Sequence, residues 1–213
     1  MKIALINENS QAAKNPLIYE TLKKTVEPMG HEVYNYGMYS AEDESQLTYV
    51  QIGILAAVLL NSKAADYVVT GCGTGEGAML ACNVFPGVLC GHIVDPSDAY
   101  MFAQINDGNA VALPFAKGFG WGAELNLQYI FEKLFSGESG QGYPKERVVP
   151  EQRNKKILDA VKTVTHRKLT EILPQLDREL VKGALAGEHF QEYFFANCKD
   201  EEIAACVRAI ILA

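Results

Sequence analysis

Apolar residues fall in short runs, each followed by a longer stretch in which they recur every three or four positions, and the alternation repeats from residue 2 to residue 135. Short runs bounded by turn residues predict buried strands, and the longer period predicts amphipathic helices. KIALI (2–6) reads as a strand, and Leu17, Ile18, Leu22 and Val26 give the stretch after Asn15 a helical face. HEVYNYG (31–37) reads as a second strand closed by Gly37, QLTYVQIGILAAVLLNSK (46–63) as a strongly apolar helix, and Tyr67, Val68 and Val69 as a buried strand ending in glycine. AMLACNVF (78–85), GVLCGHIV (87–94), DAYMFAQIN (98–106), AVALPF (110–115) and GAELNLQYIFEKLF (122–135) continue as helix, strand, helix, strand, helix. This order predicts an α/β fold, a Rossmann-like three-layer α/β/α arrangement around a five-stranded parallel sheet.

SGESGQGYPKERVVP (136–150) has loop composition. Beyond it, helices are expected over 157–173, 176–184 and 201–212, and EHFQEYFF (188–195) sets three Phe and a Tyr within eight residues. The expected organisation is a sheet domain over 1–150 and a helical extension over 151–213, packed on that domain or on another subunit.

Composition narrows the partners. Nineteen Lys and Arg against 26 Asp and Glu give a net charge of −7, and no basic stripe runs along the chain, which argues against nucleic acid and anionic membrane. The longest apolar run, IGILAAVLL (52–60), is too short for a membrane span. MKIALINENS lacks the features of a secretory signal, so a cytoplasmic location is expected. Five cysteines, at 72, 82, 90, 198 and 206, are odd in number and lack metal-site spacing, which suits a reducing compartment. No metal and no cofactor are expected.

The chemistry concentrates in TGCGTGEG (70–77), where a thiol, a hydroxyl and a carboxylate stand among four glycines. The segment fails the dinucleotide pattern at Glu76 and lacks the lysine of a phosphate-cradling loop. Two readings remain: a tight strand-to-helix turn around a buried cysteine, or a site in which Cys72 is a general base at a helix N-terminus. In the second, Thr74 and the amides near Gly73, Gly75 and Gly77 hold an enediolate oxygen, and Glu76 moves protons. Ligands in open α/β sheets bind beyond the carboxyl ends of strands, which adds Glu8, Asn9, His92 and Asp95 as candidates. NDGN (106–109) is a capped turn or, through Asn106 and Asn109, a polyol contact.

CGTGEGAMLACNVFPGV (72–88) and NDGNAVAL (106–113), after KIALINEN and ahead of FSGE (135–138), resemble the family of ribose-5-phosphate isomerase B and galactose-6-phosphate isomerase. The resemblance covers roughly residues 1–150. It implies a Rossmann-like sheet without a dinucleotide and metal-free aldose–ketose isomerisation through a cis-enediol. It also implies a homodimer, or a dimer of dimers, whose sites draw on both subunits. Cys72 matches the family's base, Thr74, Gly73 and Gly75 its intermediate-stabilising loop, Asn106 and Asn109 its substrate loop, and Asp95 an aspartate after its fourth strand.

The chain also departs from the family. Glu8 and Asn9 replace an Asp-His pair, Ile105 falls at the histidine credited with ring opening, and Ala116, beside Lys117, falls at an expected arginine. GESGQGYPKERV replaces a phosphate-binding pattern, leaving Lys145 and Arg147 as displaced basic candidates. The leading reading is an aldose–ketose isomerase for a small anionic sugar, first of all a sugar phosphate. An open-chain substrate with a single carboxylate, such as 4-deoxy-L-threo-5-hexosulose uronate, needs neither the ring-opening acid nor the arginines. A sugar-binding protein without turnover and a subunit of a hetero-oligomer are the other readings.

Overall fold

A computed structural model describes residues 1–213. Five parallel strands, β1 (Lys2–Asn7), β2 (Glu32–Asn35), β3 (Tyr67–Cys72), β4 (Cys90–His92) and β5 (Ala110–Pro114), lie in the order β2-β1-β3-β5-β4. Successive strand residues point to opposite faces, and the sequence uses the two faces differently. Ile3, Leu5, Val69, Val111 and Leu113 enter one core with α1 (Asn15–Val26) and α5 (Ala123–Phe135), which also carries α4 (Pro96–Met101). Ala4, Ile6, Val68, Ala110 and Ala112 enter the other core with α2 (Tyr49–Asn61) and α3 (Glu76–Asn83).

Helix α2 is buried at every position from Gln51 to Leu60, and a helix apolar all round needs cover on all sides. The C-terminal helices supply it. α7 (Leu169–Ile172) with the 3₁₀ turn Leu173–Gln175, α8 (Arg178–Leu185), α9 (Glu188–Asn197) and α10 (Glu201–Leu212) place Leu169, Leu173, Val181, Leu185, Phe190, Phe194, Ile203 and Val207 in the same core as α2. The aromatic segment docks on β2, where Tyr193 meets both Tyr34 and Tyr36 edge-on. Asn197 then accepts from Lys2 Nζ and donates to Tyr36 Oη.

Two expected boundaries move. The fourth strand shortens to Cys90–His92 because Gly87 turns with φ +71° and the side chains of Asn83 and Asn109 take up the hydrogen bonds of Cys90 and Leu89. The helix expected over 157–173 begins earlier, as α6 (Val148–Thr165), and stops at His166, whose extended φ/ψ breaks it before α7. α6 buries no residue, and Val149, Ile157, Leu158, Val161 and Val164 are all exposed, Val164 at 86%. No helix is long and apolar enough to cross a membrane.

Candidate active site

β1 is followed by α1 on one face and β3 by α3 on the other, so the crevice between these adjacent strands is a switch point of the kind where open sheets bind ligands. Asn7 pairs with Gly71 and Cys72 with Pro114, so β1, β3 and β5 end together. Cys72 closes β3 on the face shared with α2 and α3, and it is 8% exposed, whereas Cys82 is fully buried.

The loop after Cys72 curls around the sulfur. The Gly75 N–H donates to Cys72 Sγ at 3.2 Å, an interaction that strengthens as negative charge builds on sulfur. Gly75 has φ +82°, the left-handed conformation that glycine adopts without cost. Thr74 is exposed beside it; its carbonyl meets His92 Nε2 at 2.9 Å, and its Oγ1 accepts from the Glu76 N–H at 3.4 Å. Glu76 is exposed in the first turn of α3. A Cβ on Gly77 would stand 3.4 Å from the Tyr49 ring and 3.8 Å from Cys72 Sγ, so this glycine keeps the approach to sulfur open and Tyr49 forms its wall. On the other side, the N–H groups of Ala116 and Lys117 donate to the Gly73 carbonyl at 2.9 and 3.1 Å, which fixes the loop to the end of β5.

Glu8 belongs to the same edge: its N–H donates to the Gly71 carbonyl at 3.3 Å, and it is only 6% exposed. Its carboxylate accepts from the N–H and hydroxyl of Ser10, which caps a 3₁₀ turn, while neighbouring Asn9 is exposed. Asp95 also stands at this edge as the exposed N-cap of α4, accepting from Ser97 and Asp98; the Ser97 hydroxyl bond, ahead of the backbone bonds, holds its carboxyl below the ordinary range.

The remaining candidates lie at the opposite edge. Asn106 and Asn109 precede β5, so about 16 Å of strand separates them from the level of Cys72. Asn109 accepts from the Leu89 N–H and donates to the Gly87 carbonyl, the capped-turn arrangement. Asn106 is exposed at the end of the π-helical turn that prolongs α4, and the 136–144 loop is stapled to that turn. Gly140 and Gly142 donate to the carbonyls of Ala103 and Gln104. Lys145 and Arg147 follow, exposed and free of ion pairs. One chain therefore carries two groups of candidates: Glu8, Cys72, Thr74, Glu76 and His92 at the carboxyl edge, and Asn106, Lys145 and Arg147 at the amino edge. None of the well-formed cavities of the single chain is lined by Cys72, Thr74 or Glu76. No three His, Cys, Asp or Glu side chains converge to hold a metal ion.

Residues 3–141 match the model of the Ribose/Galactose Isomerase family, and residues 164–210 match a second model described as Ribose-5-phosphate isomerase. The chain belongs to the ribose/galactose isomerase family. It is an isomerase with a small sugar-type substrate. It is 62% identical, over 100% of both chains and with a TM-score of 0.98, to a 4-deoxy-L-threo-5-hexosulose-uronate ketol-isomerase solved with a tartrate. A ribose-5-phosphate isomerase from Vibrio parahaemolyticus is 53% identical over 99% of both chains, with a TM-score of 0.96. The type B ribose 5-phosphate isomerase of Trypanosoma cruzi shares 19% identity and 77% of this chain, covering 99% of its own length at a TM-score of 0.63, a likeness of fold alone.

Tyr49 was invisible to sequence reasoning because it opens an apolar helix and carries no motif; only its position over Gly77 brings it to the sulfur.

Proposed function

We propose that this isomerase interconverts an open-chain hexuronate of the 4-deoxy-L-threo-5-hexosulose uronate type with its ketose isomer. The observation that carries the reading is the 62% identity, over the whole of both chains, to a ketol-isomerase of that substrate. The chain's own departures support it: Ile105 offers no proton for ring opening, and Ala116 offers no guanidinium for phosphate. The sugar-phosphate reading rests on the 53% identical relative and on the family descriptions. It leaves those two positions without a purpose.

In this reading the Cys72 thiolate removes the proton from the hydroxyl-bearing carbon beside the aldehyde and returns it to the former aldehyde carbon. Thr74 and the loop amides hold the enediolate oxygens, and Glu76 carries the hydroxyl proton from one oxygen to the other. Carbon, oxygen and proton counts balance, and no outside oxidant enters. Glu8, Asn9 and Asp95 orient hydroxyls, while Tyr49 walls the approach. The site is completed in a homodimer by Asn106, Lys145 and Arg147 of the partner subunit, the basic pair meeting the carboxylate. Support for a second copy comes from the unlined approach to Cys72 and from the exposed apolar residues of α6 and of α3 with its C-cap, Leu80 and Val84.

A substrate panel tests the reading. Isomerisation of 4-deoxy-L-threo-5-hexosulose uronate is expected at a kcat/KM at least about 10²-fold above those for ribose 5-phosphate and galactose 6-phosphate, a difference of roughly 3 kcal/mol in transition-state binding. The reverse ranking overturns it.

A further inference from the structure

At the amino edge of the sheet, α6 crosses the turn between α3 and β4 and leaves a cavity of about 400 Å³. That volume falls in the range of small-ligand sites. Leu89 is the one large apolar side chain among its twelve lining residues, which include Lys155, Lys162, Arg167 and Lys168 with His166 and a single carboxylate, Asp159. The lining thus holds a surplus of three positive charges, one of them met from outside by Glu171, in a chain whose net charge is −7.

The cations are not equally engaged. Lys155 pairs with Asp159 at 2.7 Å, and Arg167 reaches Glu171 at 3.4 Å and Gln175 at 2.9 Å. Lys162 is half-buried, and its ammonium donates only to the Asn83 carbonyl at 3.1 Å, with no carboxylate in reach. Burial pulls its pKa below the ordinary lysine value, as expected for a charge drawn out of water without a counter-ion. Lys168 is exposed and makes no ion pair.

We infer that this cavity is a binding site for a small phosphorylated molecule, separate from the isomerase centre. A single carboxylate would leave most of the surplus uncompensated, whereas a phosphoryl dianion or a diphosphate matches it, and ammonium and guanidinium groups together are the usual phosphate partners. The ligand is an effector rather than the substrate, because none of Cys72, Thr74, Glu76, Asn106, Lys145 and Arg147 lines the cavity. Asn109 lines it and holds Gly87 and Leu89, so occupancy bears on the segment that ends in Asn106.

Titration calorimetry with inorganic pyrophosphate at physiological ionic strength tests this, using the full chain. Saturable binding of one pyrophosphate per chain is expected, weakened about tenfold or more in the pair Lys162→Gln and Lys168→Gln and unchanged in Cys72→Ala and Arg147→Gln. Lys168→Glu, at an exposed and unpaired position, is expected to weaken binding at least about threefold and guards against misfolding of the Lys162 variant. Absence of saturable heat overturns the inference. Binding lost in Arg147→Gln but kept in the cavity variants overturns it too, as does citrate binding as tightly as pyrophosphate.

Discussion

The His92 ring lies so close under Gly75 that a Cβ added there would stand 2.8 Å from its edge. The same ring nitrogen meets the Thr74 carbonyl, so His92 props the loop that aims an N–H at Cys72. Gly75→Ala adds a left-handed strain of about 1–3 kcal/mol to this clash. A lower melting temperature and at least about a tenfold loss of kcat are expected. Wild-type turnover in this variant would remove the loop from the mechanism.

Cys72→Ala removes the proposed base and is expected to lower kcat by about 10²- to 10⁴-fold, with KM little changed. Exchange of the substrate's carbon-bound proton in deuterated buffer reads the step directly. Exchange at the wild-type rate would assign the base elsewhere.

A site shared between copies makes a complementation experiment decisive. Cys72→Ala and Arg147→Ala chains, each inactive alone, are expected to recover about a quarter of wild-type activity when unfolded and refolded together, because half the dimers are mixed and each mixed dimer has one intact site. No recovery would mean that both residues serve the same chain.

The exposed face of α6 yields a related outcome. Val161→Asp with Leu158→Asp places charge in the proposed interface. A halved mass by light scattering, an unchanged far-ultraviolet dichroism spectrum and lost turnover are expected together. An intact dimer would move the interface off α6.

Alkaline pH is expected to destabilise the fold. Burial raises the pKa of Tyr36, Tyr39, Tyr67 and Cys206, and Cys90 is raised first by its bond with Cys82 and then by burial. The native state keeps its full advantage below the unfolded-state values, about 8.5 for Cys and 10 for Tyr. It loses that advantage as pH climbs from those values toward the higher folded ones. Urea midpoints should fall steadily above pH about 8.5, with a shallower initial fall in Cys90→Ala, where Cys206 remains. A flat profile would contradict the burial of these groups.

Much of the sheet was legible because strand residues such as Ile3 to Ile6 are apolar on both faces, as a covered parallel sheet requires. Helix starts were harder: α6 begins in VVPEQR, where Pro150 reads as a breaker yet sits harmlessly in a first turn. The TGCGTGEG loop announced itself through glycine spacing. The separation of Cys72 from Asn106 was implicit in the expected parallel sheet, since one follows its strand and the other precedes it. Asn109 illustrates a further limit, since an amide that staples a turn and one that grips a sugar have the same letter in a sequence.

The engulfed α2 sets the timetable of folding. The cover of its outer face comes from residues more than a hundred positions downstream, Val181, Phe194 and Val207 among them, and is latched where Lys199 N–H donates to the Ser62 carbonyl. A nascent chain must therefore carry one uncovered apolar face of this helix until nearly all of it has left the ribosome.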